Sequence, residues 1–203
     1  IIRLILSGKP INYSGKIFNL KNFTSLIKPQ RTNIPIYLAA INQKMVNLTW
    51  SIGDGVIFYL RPMEEMKQTI SKMQAKKNID VACQIITCVS EDSDDAILRA
   101  KKTLAFYISV GKIYREFLEN NGFKNETNNI FNEFKKSGFT SNHELVTNSM
   151  LDSLCISGTP EECKNKLQNF IDAGIDLPII QFNPVGDTLE SFMLLKKTFL
   201  DEK

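Results

Sequence analysis

Pro35 through Leu60, PIYLAAINQKMVNLTWSIGDGVIFYL, decides the fold. Pro35 to Ala40 is a short apolar run of strand type, and Asn42-Gln43-Lys44 interrupts it. Met45, Leu48, Trp50 and Ile52 then recur at helical spacing up to Gly53, and Gly55 to Leu60 is a second apolar run. Strand, helix and strand with short joints make a parallel βαβ unit with a right-handed crossover. The loop after its first strand is the first place to look for a ligand, because ligands in parallel α/β sheets gather at the strands' C-terminal ends.

Outward from this unit the same cadence repeats. Pro62 opens an amphipathic helix to Lys77, with Met63, Met66, Ile70 and Met73 on one face. That methionine stripe is the core side of the helix or an adaptable binding face. Asp80 to Val89, DVACQIITCV, is a third strand, after which Ser90 is placed to cap a helix running through Ile108. Glu91, Asp92, Asp94 and Asp95 complement that helix's dipole, and their intervals do not fit a calcium loop. From Gly111 to Ser149 the pattern is least regular, with two or three short helices broken at Gly111, Gly122 and Gly138. Such an insertion lids a pocket or packs on the body of the domain. Thr159, Pro160 and Glu162 form a complete capping box, and their helix ends at Gly174. Leu177 to Phe182 is a fourth strand, followed by a loop over 183–187 and a helix over 189–200. Strands that read as continuous apolar runs are covered on both sides, so the class is α/β with a parallel sheet. Near the start, Ile1 to Gly8 reads as the last turns of a helix. Lys9 to Leu20 reads as a hairpin around Ser14-Gly15, with Ile11, Tyr13, Ile17 and Phe18 supplying apolar contacts. Lys21 to Asn33 reads as a connector. The opening helix lacks a beginning, from which the chain is expected to be the C-terminal portion of something longer.

Composition narrows the function. Of 203 residues, 43% are hydrophobic and 23% charged, as in a water-soluble globular chain, and the net charge of +3 is too small and dispersed to argue for nucleic acid. No apolar stretch approaches a membrane span. Cys83, Cys88, Cys155 and Cys163 form no CxxC pair and are expected to be reduced, in a cytoplasmic protein. Cys83 and Cys88, five apart on one strand, face opposite sides. His143 is the single histidine, which excludes multi-histidine metal sites, and it is expected to be solvated. No GxSxG elbow, Walker A loop or GxGxxG occurs, so the open chemistry is that of a bound cofactor. Two polar features lie at strand C-termini. Asn42-Gln43-Lys44 either caps its helix with Lys44 in solvent or offers the helix N-terminus and a positive charge to an anion. Arg61 either clamps a carboxylate or phosphate or pairs with Glu64 or Glu65.

With these residues placed, the chain resembles the luciferase-like monooxygenase superfamily, most closely its archaeal, deazaflavin-dependent branch of the 5,10-methylenetetrahydromethanopterin reductase type. Ser7-Gly8-Lys9 with Tyr13-Ser14-Gly15 and Phe18, Pro35 to Ala40 with Lys44-Met45, Gly53-Asp54-Gly55-Val56, and Ile156 to Cys163 with Ala173-Gly174-Ile175 carry the resemblance. It implies a single domain over 1–203: the C-terminal half of a (β/α)8 TIM barrel, four parallel strand–helix units with a helical insertion about 111–155. It further implies an oxidoreductase passing hydride between reduced coenzyme F420, or FMN, and a small-molecule substrate. Ala40, Ile41, Asn42, Gln43, Lys44 and Met45, with Arg61, would help hold the cofactor's phosphate-bearing tail. In the family that loop has a glycine, then a small residue or proline, then lysine. Here Asn42 and Gln43 take the first two places and Lys44 is retained. The family's catalytic residues would lie outside this chain, no metal is implied, and a homo-oligomer is expected. The alternative is a non-catalytic half-barrel that dimerises to complete its sheet. A flavodoxin-like open sheet lacks its phosphate-cradling loop here.

Overall fold

A computed structural model describes residues 1–200. It divides into two compact units, one of 36 residues ending at Ile36 and one starting at Tyr37. In the first unit, α1 (Ile2–Ile5) is a single turn, and β1 (Ile11–Ser14) pairs antiparallel with β2 (Asn19–Phe23). The expected hairpin forms, but its second strand runs to Phe23, beyond the boundary read from the sequence. Ile17 and Phe18 make little apolar contact, being 83% and 63% exposed at and beside the turn.

The second unit is built on a parallel sheet. Its strands are β3 (Tyr37–Ala39), β4 (Gly55–Tyr59), β5 (Asp80–Val89), β6 (Cys155–Gly158) and β7 (Leu177–Phe182). On β5, residues 80–84 pair with β4, 86–89 with β6 and 82–87 with β7. Because β7 overlaps both of the others, it must occupy the opposite edge of β5, leaving β4 and β6 to share one edge in succession. β6 is a strand that the tally of four lacks. It is four residues long, and its register is fixed by contact with β5 rather than by any local pattern.

The helices are α2 (Gln43–Ile52), α3 (Met63–Gln74), α4 (Ser93–Val110), α5 (Lys112–Leu118), α6 (Lys124–Ser137), α7 (Asn148–Leu154), α8 (Pro160–Asp172) and α9 (Thr188–Leu200). The irregular region is thus mostly helical, and Gly122 and Gly138 break it at positive φ, as its glycines predict. α4 is capped by Asp92, not Ser90. The Asp92 side chain accepts from the Asp94 amide, while Ser90 Oγ accepts from the Asp92 amide one step earlier. Thr159 and Glu162 make the expected capping box at α8.

Two apolar clusters lie on the two faces of the sheet. Phe58, Val81, Cys83 and Ile85 pack with Trp50, Met66, Ile70, Met73 and Phe170 on one side. Ile86, Cys88 and Cys155 pack with Leu104, Ile108, Leu118, Ile130 and Met150 on the other. The methionine stripe is therefore core, and Cys83 and Cys88 do face opposite ways. All four thiols are buried, and burial pushes those of Cys83, Cys88 and Cys163 up to about 12. The sheet does not close on itself. At its outer strand, Leu177 and Ile179 of β7 are 46% and 40% exposed. The architecture is that of part of a (β/α)8 barrel: strands in parallel, helices following them, and two edges left open.

Candidate functional site

β3 ends at Ala39, and the Ala40 amide continues the ladder by donating to the Ile57 carbonyl at 3.2 Å. Ala40 is buried; Ile41 is half-buried; Asn42, Gln43 and Lys44 are exposed. The Asn42 side chain accepts from the Met45 amide at 3.0 Å and caps α2, and its carbonyl takes the Val46 amide. The Gln43 side-chain amide reaches Asn47 one turn on. This leaves the backbone N–H groups of Gln43 and Lys44 without a partner among the described residues at the positive end of α2, whose first turn holds no acid.

Arg61 arrives at this loop from behind. Leu60, with φ of 48°, holds a left-handed backbone that costs a branched residue about 1 kcal/mol, and it turns the chain out of β4. Arg61 is buried. Its Nε and Nη2 fork onto the Glu65 carboxylate in the first turn of α3, and its Nη1 donates to the Ile41 carbonyl at 3.0 Å. The guanidinium lies 4.6 Å from the Phe58 ring centroid and 4.7 Å from that of Phe117. All seven residues singled out from the sequence, Ala40 to Met45 and Arg61, thus meet at one corner of the sheet. Within it Arg61 already spends its fork on Glu65 and ties down Ile41, while Lys44 has no partner among the described residues. The chemistry of this corner suits an anion: two amides without a partner among the described residues, a helix N-terminus and the exposed Lys44 on its first turn. No group of three or more His, Cys, Asp or Glu side chains arranged to hold a metal occurs among the described residues.

At the same end of the sheet, on the β7 side, is a cavity of about 390 Å³. Residues from α4, from the 139–143 turn and from the end of β7 line it, including His143 and Asn183. His143 is therefore not solvated as its polar neighbours suggest. The 142–145 turn folds it half under cover, and its Nδ1 is buried without a hydrogen-bond partner among the described residues. Asn183, the first residue of the loop after β7, forms part of the wall, and Pro184, Val185 and Gly186 are not among the lining residues. The contributions of α4 and the 139–143 turn carry no signal in the sequence, since the lining residues, Arg99 to Asn183, are as much as 84 positions apart.

The model of the luciferase-like monooxygenase family matches residues 1–177. The chain is 28% identical to the 5,10-methylenetetrahydromethanopterin reductase of Archaeoglobus fulgidus over 214 residues, covering 98% of this chain and 63% of that protein. It is 26% identical to the same-named protein of Methanopyrus kandleri, covering 94% of this chain and 56% of that one. Among solved structures it matches the coenzyme F420-dependent tetrahydromethanopterin reductase of Methanopyrus kandleri with a TM-score of 0.82 at 22% identity, over 98% of this chain and 59% of that one. An F420-dependent secondary alcohol dehydrogenase with an F420–acetone adduct matches with a TM-score of 0.66 at 18% identity, over 97% and 57%. The chain thus spans roughly three fifths of the length of these relatives.

Proposed function

The chain belongs to the luciferase-like monooxygenase family, and on that premise we propose that it forms one side of the cofactor site of an oxidoreductase. The reaction is hydride transfer between reduced coenzyme F420, with FMN as the alternative, and a small organic substrate. The named relatives support the class of reaction. One observation in this chain carries the site: the Gln43 and Lys44 amides, without a partner among the described residues, open the N-terminus of α2 where it meets β3, and the exposed Lys44 adds a positive charge to the same turn. They would hold the cofactor's phosphate-bearing tail. The cofactor when bound supplies the hydride chemistry itself.

The protein's work here is binding and orientation. Asn42 fixes the start of α2 so that its amides point outward. Arg61, through the Ile41 carbonyl, holds the loop against β4 and is a positioning residue, with Glu65 and the two phenyl rings keeping its fork in place. No residue of this chain is given a catalytic role, and with only part of the pocket its affinity for the cofactor is weak. The test compares FMN with riboflavin, which lacks the phosphate, in equilibrium titrations of the 203-residue chain. FMN should bind more tightly, and Lys44→Ala should narrow the difference by about fivefold, the scale of a solvent-screened ion pair. Equal binding of the two flavins, or no response to Lys44→Ala, contradicts the assignment.

The open sheet supports a second reading, a half-barrel that pairs with another copy. Leu177, Ile179, Leu189, Phe192 and Met193 leave apolar side chains exposed on β7 and α9. Sedimentation equilibrium decides it: a concentration-dependent dimer favours this reading, and a monomer at all concentrations removes it.

A further inference from the structure

The net charge of +3 conceals a division that coincides with the two structural units. The first unit, residues 1–36, holds Arg3, Lys9, Lys16, Lys21, Lys28 and Arg31 and not one Asp or Glu, so it carries +6. The chain's other 19 basic residues share the second unit with all 22 acids, which makes that unit −3. All six cations of the first unit are exposed. Cations gathered in a short segment without a neutralising acid repel one another and raise a positive field around it, which an extended anionic surface would relieve.

The same unit keeps its apolar side chains outside. Ile11 is the one buried residue of the 36. Two turns display large apolar groups. The first closes the β1–β2 hairpin, where the Gly15 amide donates to the Phe18 carbonyl at 3.0 Å and leaves Lys16, Ile17 and Phe18 at the tip. In the second, Ser25 Oγ accepts from the Ile27 amide at 3.2 Å and donates to the Ile27 carbonyl at 3.0 Å. That turn presents Leu26, fully exposed, and Ile27, 80% exposed, beside Lys28. Each turn therefore joins two large apolar side chains to a lysine. Ile27 also lines an aliphatic cleft of about 290 Å³ with Ile5, Leu6, Ser25, Pro29 and Ile34. Exposed apolar surface on this scale, in a unit too small to fold it inward, marks an interaction face.

We propose that the first unit docks on an anionic lipid bilayer: the apolar pairs of the two turns enter the boundary between headgroups and acyl chains, and the cations sit among the headgroup phosphates. Burial of hydrocarbon and attraction to anionic lipid are the two components of peripheral attachment, and both turns offer them together. A nucleic acid would match the charge, but it binds exposed side chains through phosphates and ring faces. Ile17, Leu26 and Ile27 are aliphatic, cannot stack, and would stay in water on such a partner. The attachment is to the surface of the bilayer, since no helix among the described residues is long and apolar enough to cross it. The inference goes beyond the cofactor-tail reading and does not depend on it, since no residue is shared with the Ala40–Met45 corner.

Co-sedimentation of the 203-residue chain with vesicles tests it. Pure phosphatidylcholine vesicles are compared with vesicles carrying about 30% phosphatidylglycerol as the anionic component. Saturable partition is expected on the anionic vesicles, at least about tenfold stronger than on the neutral ones. It should be largely lost in about 1 M salt, where the Debye length falls to about 3 Å. Ile17→Ser/Phe18→Ser, two exposed changes at a turn, should weaken it at least about tenfold, and Leu26→Ser should act in the same direction. Lys16→Ala or Lys28→Ala should cost about fivefold each, whereas Lys72→Ala, an exposed change in the second unit, should leave partition unaltered. Five results overturn the proposal: no saturable partition, equal partition on neutral and anionic vesicles, full binding by the serine variants, an oligothymidylate bound more tightly than anionic vesicles, or a lipid-free dimer that the serine variants dissociate, which assigns the face to a second copy.

Discussion

β5 and β7 carry the same kind of sequence and live in different surroundings. DVACQIITCV and LPIIQF are both apolar runs, but β5 is buried along nearly its whole length, whereas β7 exposes Leu177 and Ile179. β5 pairs on both edges and is covered on both faces; among the described residues β7 pairs with β5 alone. An apolar run therefore specifies a strand that is meant to be covered, and the structure then reports whether the cover is there. The exposed run at β7 marks the open side of the partial barrel.

Truncation separates the two strands most sharply. Ile85→Ala in β5 should cost about 2–5 kcal/mol, the range for emptying a well-packed core site. Ile179→Ala in β7 should cost less than about 1 kcal/mol, because much of that side chain is already hydrated. Denaturant midpoints followed by the fluorescence of Trp50, the single tryptophan, read both. Similar losses at the two positions would mean that β7 is covered in solution. Next in size is Arg61→Met, which leaves the Glu65 carboxylate without its fork and should cost about 2–4 kcal/mol, with Arg61→Met/Glu65→Leu recovering most of the loss. If the double variant is no better than the single one, the Ile41 contact and the ring contacts, rather than the ion pair, hold that corner.

Smaller effects sharpen the contrast at the α8 end of β6. Thr159→Ala removes one half of the capping box and should cost about 1 kcal/mol. The Thr159 amide and the Ser93 hydroxyl donate to Glu162 and hold its carboxyl below its ordinary value of 4.5. A group with a lowered folded-state pKa stabilises fully above its unfolded value and loses that contribution as pH falls through the folded one. Stability should therefore drop in the acid region starting near pH 4.5, and Glu162→Gln should flatten that limb while leaving Glu133, another carboxyl held low, in place. An unchanged acid limb in Glu162→Gln would remove the cap from the account.

Much of this was legible in the chain. The helix starts at Asn42 and Thr159 follow from short-range chemistry, a side-chain oxygen meeting an amide two or three residues on. The long strands and the core side of α3 follow from periodicity. Arg61 and the Ala40–Met45 loop could be placed at the same end of the sheet because both lie at strand C-termini. What could not be read is set by distance in sequence. β6 is strand only because β5 offers an edge to four residues. Arg61, whose pairing with Glu65 is one of the readings open in the sequence, also reaches the Ile41 carbonyl 20 residues away because Leu60 turns it inward. His143 lines a cavity because a turn near 140 folds over α4 and β7. No local pattern carries those contacts.

The central claim, that the start of α2 grips an anionic tail, is tested most directly by amide NMR of the chain titrated with FMN. The largest saturable shifts should fall on the Gln43 and Lys44 amides, with riboflavin leaving both in place. Shifts that concentrate elsewhere, or that riboflavin reproduces at Gln43 and Lys44, would contradict it.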